Sequence, residues 1–460
     1  MFRASMFSCA LAIGLGGLFD AANPAVAVSP QGAAKVDPAR DTSERGAVGV
    51  GDLVVARQDV ALRFENKTVD HVQAGQVLRV LAISEDRYWV SRGLPGWVSA
   101  KSMIELEHAE SFFESRIGRG GDSADYFARG AVRVAVGKAE EGVSDLRKAI
   151  EISGDRPGYL EQLGFAQLAT REHQSASVTF SKAIQNDPKS ASAWMGRGLF
   201  HYQAGRHQES YQDFYKAHQL VPDHAFPRKY LGVILHDRGQ LVEARTQLEK
   251  AVKLDAFDAF SHKALGRLIF EQGDLPEALN EFSIALNLAP SDVEALTGRG
   301  VTRHAIGKEL SGAAKDFQEA LRLLDPAEHE AFLWSNLGQA QFELGDFTNA
   351  RASLENAIRL DPKFAEARSH LAYLLAVQQP SVSDDLNEAK QHLRVVFAGQ
   401  DAKTFWDYRA LAAVNAAYGD FVRAARFQRL GEDSLKSHGP MRFVEASAET
   451  RKIYERKAKG

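Results

Sequence analysis

Cysteine is almost absent from this sequence. The 460 residues contain one cysteine, Cys9, which lies close to the start of the chain. A chain that began after residue 27 would have no thiol at all. In such a chain disulfides, cysteine–metal sites and cysteine catalysis are excluded, so its stability must come from packing alone.

The local motifs of catalysis and of nucleotide binding are absent as well. The sequence has no nucleophile elbow, no P-loop, no HExxH zinc motif and no glycine-rich dinucleotide fingerprint. Its 14 histidines are scattered along the chain. We therefore expect a protein that is not an enzyme and that has no catalytic residues, no cofactor and no metal site.

Neither sign of charge is in large excess. The 60 acidic and 56 basic residues leave a formal net charge of -4, which gives no general attraction to polyanions. Nucleic acid is therefore not an expected partner. The hydrophobic share of 45% and the charged share of 25% are typical of a soluble globular protein.

The first 27 residues have the pattern of a secretory signal peptide. Arg3 precedes an uncharged run from Ala4 to Phe19, and the small residues Ala25 and Ala27 flank Val26 at a cleavage site. An uncleaved membrane anchor is the alternative, but about 16 apolar and small residues fall short of the roughly 20 that span a bilayer. We predict a signal peptide over 1–27, export to the periplasm or the exterior, and no membrane span after cleavage.

Two short regions follow. Residues 28–46 mix Pro, Gly, Ala and alternating charge without apolar periodicity, which predicts a disordered linker. Residues 47–106 contain short β-like runs between Gly, Asp and Asn turns, and their order resembles that of bacterial SH3-like domains. This predicts a small all-β barrel. Trp89 and Trp97 could line a ligand groove, yet aromatic residues in so small a domain are more often its core.

The rest of the chain is built from a repeated unit of 34 residues. Glycine recurs at this interval in the first half of the unit, and alanine recurs in the second half at Ala149, Ala183, Ala217, Ala251 and Ala285. The small residues allow close helix approach. After a short insertion the glycine series continues one unit further, so that the repeat glycines are Gly130, Gly164, Gly198, Gly232, Gly266, Gly300 and Gly338.

A 34-residue period with these small residues resembles the tetratricopeptide repeat. The resemblance implies a mainly α fold, a right-handed α–α superhelix, over residues 123–438. A capping helix over 107–122 precedes it, and a C-terminal tail over 439–460 follows it. We expect eight or nine repeats, whose first helices begin near Ser123, Pro157, Ala191, Ala225, Ala259, Val293, Ala331, Ala365 and Phe405.

The sequence departs from the family pattern at two places of the first helix. Arginine replaces the usual leucine at Arg129, Arg197 and Arg299, and the residues four positions later are Arg133, His201 and Arg303 where the family often has tyrosine. We expect the aliphatic stems of these side chains to pack.

The family also implies a binding surface. In tetratricopeptide arrays, places two, five, nine and twelve of the first helix line a concave peptide groove. The corresponding candidate residues here are Lys229, His236, Phe260, Lys263, Arg267, Phe270, His304, Phe332, Gln339 and Phe342. The alternative is that the aromatic residues only pack against the next repeat. Lys229, Lys263 and Arg267 are harder to explain as core, and with the phenylalanines they suit an extended peptide that bears a carboxylate and apolar side chains.

Two functions of different class fit these features. The first is a non-catalytic scaffold or adaptor of the cell envelope that binds a peptide or a partner protein on the concave surface. The alternative is a cell-wall module whose SH3-like domain binds peptidoglycan while the solenoid acts as a spacer.

Overall fold

A computed structural model describes residues 48–64, 67–91, 95–378, 383–399, 403–435 and 441–459. The predicted signal peptide (1–27) and linker (28–46) lie outside the described residues. The described chain divides into two compact units, one up to Leu268 and one from Ile269 onward. None of the helices in these ranges is both long enough and apolar enough to span a lipid bilayer.

The first unit begins with a small antiparallel β-sheet. Its seven strands follow the order β3-β2-β6-β5-β4-β1-β7. One face buries alternate residues, including Val54, Leu62, Leu78, Val90 and Val98, which form the core of this domain. The strands are β1 (Leu53–Ala56), β2 (Val60–Phe64), β3 (Lys67–Val72), β4 (Val77–Ser84), β5 (Arg87–Ser91), β6 (Pro95–Ser99) and β7 (Met103–Glu105).

The two tryptophans of this sheet lie on the face opposite to that core. Trp89 and Trp97 pair across β5 and β6, each next to a core valine on its own strand. Their rings are 5.1 Å apart, and Phe64 packs edge-on against Trp89 at 5.7 Å. Trp89 is 4% exposed, whereas Trp97 is half-buried. Trp89 is therefore buried, but the two tryptophans form an aromatic patch on the face opposite to the core of the sheet.

Helix α1 (Leu106–Gly118) joins the sheet to the repeats. Ala109 and Phe113 of α1 are fully buried against Val55 of the sheet and Val132 of the next helix. The turn before β4 also touches that helix, because a Cβ built on Gly75 would lie 2.3 Å from the Ala128 Cα atom. The sheet and α1 together cover the exposed face of the first repeat, as a terminal cap must.

Nine helix pairs follow within the described ranges, and their first helices begin at the nine residues from which the repeats were counted. In the first unit they are α2 (Ser123–Ala135) with α3 (Ala139–Ser153), α4 (Pro157–Ala169) with α5 (His173–Asn186), α6 (Ala191–Gln203) with α7 (His207–Leu220), α8 (Ala225–Asp237) with α9 (Leu241–Leu254), and α10 (Ala259–Gln272), which crosses into the second unit.

The second unit contains the partner of α10 and the remaining pairs. These are α11 (Leu275–Leu288), α12 (Val293–Ile306) with α13 (Leu310–Leu323), α14 (Ala331–Glu343) with α15 (Phe347–Leu360), α16 (Ala365–Val377) with α17 (Ser383–Ala398), and α18 (Phe405–Ala417) with α19 (Phe421–Leu435). The inserted "LDPAEHE" contains a short 3-10 turn at Pro326–Glu328. The fold is a mainly α stack of tetratricopeptide-type pairs preceded by a small β-sheet.

Small residues determine how these helices meet. A Cβ built on the eighth-place glycines 130, 164, 198, 232, 300 and 338 would lie 2.6–3.2 Å from a leucine or phenylalanine of the second helix. Only glycine permits such an approach without displacement. Between the two helices the chain turns at glycines with φ of 70–92°, among them Gly205, Gly239, Gly273, Gly307, Gly345 and Gly419.

The C-terminal segment corrects the prediction of a tail. Residues 439–460 contain a further helix, α20 (Met441–Lys457), which packs on α19. The 34-residue pattern of glycine and alanine does not continue into this segment, so the pattern does not predict the helix.

Candidate functional site

Successive first helices contact one another: α2 contacts α4 and α4 contacts α6 in the first unit, while α12 contacts α14 and α14 contacts α16 in the second. Their partly exposed faces carry the candidate residues. The two units are described in turn.

In the first unit, Lys229 is the centre of a buried cluster. It is 8% exposed, and its Nζ lies 3.1 and 3.2 Å from the two carboxylate oxygens of Asp258. The rings of Phe226, Tyr230 and Phe260 surround the ammonium group, with centroids 5.0–5.7 Å from Nζ. Lys229 is therefore explained as core by an ion pair within an aromatic cage.

Asp258 has a second role at the start of α10. Its carboxylate accepts hydrogen bonds from the backbone N–H and the hydroxyl of Ser261. Burial alone would raise the pKa of Asp258, but Lys229 and Ser261 hold it below its usual range. The ion pair thus ties α8 to the N-terminus of the next first helix.

The same two places of the repeat meet elsewhere in this unit. Glu161, at place five of the second repeat, accepts a hydrogen bond of 2.6 Å from Ser190, the last residue of that repeat. Lys229 and Asp258 hold the corresponding places of the fourth repeat and are likewise 29 residues apart. In both repeats the side chain at place five therefore binds the residue that precedes the next first helix.

Two further cations lie on α10. An Nη2 atom of Arg267 is 2.9 Å from Nδ1 of His236 and 3.3 Å from Asp237, so this guanidinium links α10 to α8. The Lys263 Nζ lies 5.8 Å from the Phe260 ring. Both cations keep part of their surface exposed. The structure thus joins the candidates of this unit in two groups, Lys229 with Phe260 and Lys263, and His236 with Arg267.

In the second unit, two candidates meet at a carboxylate that the sequence did not indicate. His304 Nε2 lies 3.0 Å from Glu343, and the Gln339 amide donates to the same oxygen at 3.5 Å. Both His304 and Gln339 are buried. Nearby, His370 is 8% exposed, and among the described residues no atom pairs with its Nε2. Burial, with Arg409 and His304 nearby, lowers the pKa of His370 to about 3.

The three remaining candidates are partly buried aromatic residues. Phe270 and Phe332 pack against one cluster around Phe317, and Phe342 packs against the next. The ring of Phe342 contacts Phe347 at 5.5 Å and Tyr373 at 5.5 Å. These contacts fit the alternative that the aromatic residues hold neighbouring helices together.

The arginines that replace leucine form internal ion pairs. Arg129, Arg197 and Arg299 each bind both oxygens of an aspartate on the second helix of the same repeat, at 2.7–3.0 Å. Those aspartates are Asp145, Asp213 and Asp316, and all three are buried. The stems therefore pack, but the head groups are paired inside the repeat rather than directed to a ligand.

One group of exposed side chains brings three potential metal-ligand atoms close together. Ligand atoms of Glu105, Glu107 and His108 lie within 4.8 Å of one another at the start of α1. All three side chains are substantially exposed, and acidic surface groups at such distances are common without an ion. This group lies away from the first-helix surfaces.

The sequence analysis did not identify four features that contact the candidate residues or lie beside them, namely Asp258, Glu343, His370 and helix α20. A weak signal existed for Asp258, which stands three residues before Ser261 as an N-cap aspartate does. No periodicity indicated the other three, because they depend on which helices meet across repeats.

Comparisons with known proteins agree with the repeat assignment. A family model described as "Tetratricopeptide repeat" matches residues 162–227 and 263–328, and one described as "TPR repeat" matches residues 338–379. No curated protein matches the sequence of this chain.

Several solved structures are similar at low identity. The APC/C hetero-tetramer Cut9–Hcn1 includes a chain 18% identical to this one, with a TM-score of 0.49 over 68% of this chain and 59% of that one. YrrB, a TPR protein with an unusual peptide-binding site, is 23% identical, with a TM-score of 0.32 over 41% of this chain and 94% of its own. Pseudomonas aeruginosa pilF is 18% identical, with a TM-score of 0.42 over 49% and 97%.

The family assignment rests on the matched repeats and on the helix pairs. The matched ranges cover parts of both units, and each contains first helices that begin at the predicted positions. The chain therefore contains tetratricopeptide repeats.

Proposed function

We propose that this chain is a non-catalytic scaffold or adaptor of the cell envelope that binds a peptide or a partner protein on the inner surface of its repeats. The observation that carries the proposal is the surface of α8 and α10, where Phe226, Phe260, Lys263 and Arg267 are all partly exposed. Structural residues of the repeat are buried to a far greater degree, as Leu231 and Leu268 show on the same helices.

The charges of this surface suit an acidic ligand. Asp258 already neutralises Lys229, so Lys229 orients Phe226 and Phe260 rather than attracting an anion. Lys263 keeps exposed surface beside the Phe260 ring, and Arg267, which also pairs with Asp237, keeps exposed surface on the same helix. An extended segment with a carboxylate and apolar side chains would gain charge-assisted hydrogen bonds and apolar burial there.

The test is capture by photo-crosslinking. A photoreactive phenylalanine analogue at Phe260 should crosslink an envelope protein, whereas the same analogue at Val242, 76% exposed on α9, should not. Lys263→Glu with Arg267→Glu should abolish the crosslink while leaving helicity unchanged. The matched control is Lys250→Glu with Lys253→Glu, on exposed positions of α9. An unchanged crosslink in the folded Lys263/Arg267 variant would place the binding surface elsewhere.

The envelope location belongs to the same proposal and rests on the signal-peptide pattern of residues 1–27. Cleavage after Ala27 would give a mature chain that starts at Val28. N-terminal sequencing of the protein from the envelope fraction should return Val28. A chain that still begins with Met1 would argue against export by cleavage.

A second candidate function concerns the β-sheet, which on this proposal is an SH3-like domain that binds peptidoglycan. The observation that favours it is the aromatic patch of Phe64, Trp89 and Trp97, beside which the Arg87 guanidinium lies 5.3 Å from the Trp97 ring. The partly exposed rings of Phe64 and Trp97 next to a cation offer stacking and hydrogen bonding to a polar polymer.

This candidate is tested by sedimentation of the whole chain with purified cell-wall sacculi. The unmodified chain should co-sediment, and Trp97→Ala should reduce the bound fraction severalfold. Lys101→Ala, at an exposed position of the same domain, is the matched control. If the unmodified chain stays in the supernatant, the cell-wall function is wrong, while the result leaves the Phe260 crosslink to be judged separately.

A further inference from the structure

The described side chains of helix α20 bind the second unit through both polar and aromatic contacts. The helix runs antiparallel to α19, since Gln428 donates to Ser447 at 2.7 Å while Phe421 faces Tyr454 with ring centroids 6.5 Å apart. Arg451 binds Glu432 at 3.0 Å. Among the described side chains of α20, Ser447 alone is fully buried.

One aromatic side chain of α20 reaches the first-helix surface. The ring of Phe443 lies 4.9 Å from Trp406, at place two of the ninth repeat, and 6.4 Å from His304, at place twelve of the sixth. Trp406 packs edge-on against His370 of the eighth repeat at 5.0 Å. The start of α20 therefore contacts residues at ligand-lining places of repeats that are far apart in sequence.

The surface beneath Phe443 combines the aromatic rings of Phe405 and Trp406 with polar side chains. It includes the pair His304–Glu343 and the buried His370, whose Nδ1 lies 3.4 Å from the Ser335 hydroxyl. A repeat helix in this environment would bury an apolar stripe, as α12 does with Leu296 and Val301. α20 instead has eight charged residues among 17, and its described side chains contribute two aromatic anchors, Phe443 and Tyr454.

We propose that α20 is a ligand held in cis: it occupies the inner surface of repeats six to nine, and an amphipathic helix with an aromatic residue at the place of Phe443 displaces it. This inference is independent of the function proposed for repeats four and five, because none of its residues lies on α8 or α10. In the absence of a partner, α20 of the same chain covers this surface.

A peptide of residues 441–459 is the probe that tests the proposal. The receptor is the whole chain carrying Phe443→Ala and Tyr454→Ala, which weakens the two anchors. A fluorescent peptide should bind this variant at least tenfold more tightly than it binds the unmodified chain, where α20 competes. A peptide with Phe443→Ala should bind neither receptor.

Two controls locate the effect. The variant Ile453→Ala changes a 42% exposed position of α20, and it should bind the fluorescent peptide as weakly as the unmodified chain does. Lys263→Glu with Arg267→Glu should not alter peptide binding, which separates this inference from the proposed function. A correctly folded Phe443/Tyr454 variant that does not bind the peptide, or an unmodified chain that binds it equally well, overturns the proposal.

If the Phe443/Tyr454 variant does not fold, hydrogen exchange on the unmodified chain tests whether α20 can detach. Displacement requires α20 to open while α18 and α19 stay closed, so amides of α20 should exchange at least tenfold faster than those of α19. Equal protection of α19 and α20 would show that α20 is a permanent part of the stack and would overturn the proposal.

Discussion

The Nζ atom of Lys229 lies 3.1 Å from Asp258 Oδ1, and the two residues hold places five and thirty-four of the same repeat. Both are more than nine-tenths buried. A buried ion pair of this kind contributes little relative to apolar residues, but the loss of one partner leaves an uncompensated charge in the core. The energetic consequences of the pair are therefore asymmetric.

We expect Asp258→Ala to lower the free energy of unfolding by about 3 kcal/mol, because it strands the Lys229 ammonium and removes a cap from α10. Lys229→Met should be less harmful, since the aromatic cage accepts an apolar side chain. Urea denaturation of both single variants and of the double variant gives the coupling energy. A double variant as unstable as the sum of the two would contradict a direct interaction.

The ring of Phe180 is confined by Gly196, since a Cβ built on this glycine would lie 2.1 Å from a ring carbon. Gly196→Ala should therefore lower stability by about 2 kcal/mol through overpacking. The control is Gly118→Ala at the end of α1, where a Cβ meets nothing within 4 Å. Comparable urea midpoints for the two variants would show that α6 can move away from Phe180.

The polar core of the third repeat should be replaceable by that of the second. Arg197 and His201 face Asp213, whereas the second repeat has Leu163, Gln167 and Thr179 at these places, with a hydrogen bond of 2.8 Å between the last two. The single variant Asp213→Thr should lower the free energy of unfolding by about 3 kcal/mol, because it leaves the Arg197 guanidinium without its carboxylate partner.

The triple replacement of Arg197 by Leu, His201 by Gln and Asp213 by Thr should recover most of that loss. Thermal melting of the single and triple variants checks this. A triple variant no more stable than Asp213→Thr would mean that the polar set depends on its neighbours rather than on its own repeat.

The second unit should lose stability in acid through His370. Its pKa falls from 6.5 to about 3 on folding. Between these two pH values the imidazole is therefore protonated in the unfolded chain but neutral in the folded chain. This contribution is complete above pH 6.5 and is lost as the pH falls from 6.5 toward 3. The difference in urea midpoint between the unmodified chain and His370→Gln should therefore change with pH over this window. A difference that stays constant would contradict the neutral, buried state.

The carboxyl group of Glu366 should change the stability of the second unit with pH in the opposite direction. Glu366 as a whole is partly exposed, but its carboxyl group is surrounded by protein atoms. Desolvation by burial, together with the nearby Asp407, raises the pKa of Glu366 to about 7. The folded state therefore favours the neutral acid. The resulting stability is complete below pH 4.5 and is lost as the pH rises through 7. Glu366→Gln should remove this loss, and carboxyl titration by infrared spectroscopy should show an apparent pKa well above 4.5.

The sequence by itself determined the repeat and its register. Glycine and alanine at a 34-residue interval have one physical reason, the close approach of packed helices, and that reason is local to each repeat. The starts of nine first helices therefore followed from residue type and spacing.

Only the tertiary structure decided which polar groups meet across repeats. Lys229 and Arg267 have the same charge in sequence, yet one is enclosed with Asp258 and the other links His236 and keeps exposed surface. Likewise Phe443, outside the periodic pattern, lies against Trp406 and His304. Such contacts depend on the distances between helices and on the path of the chain after the last repeat, neither of which a 34-residue period contains.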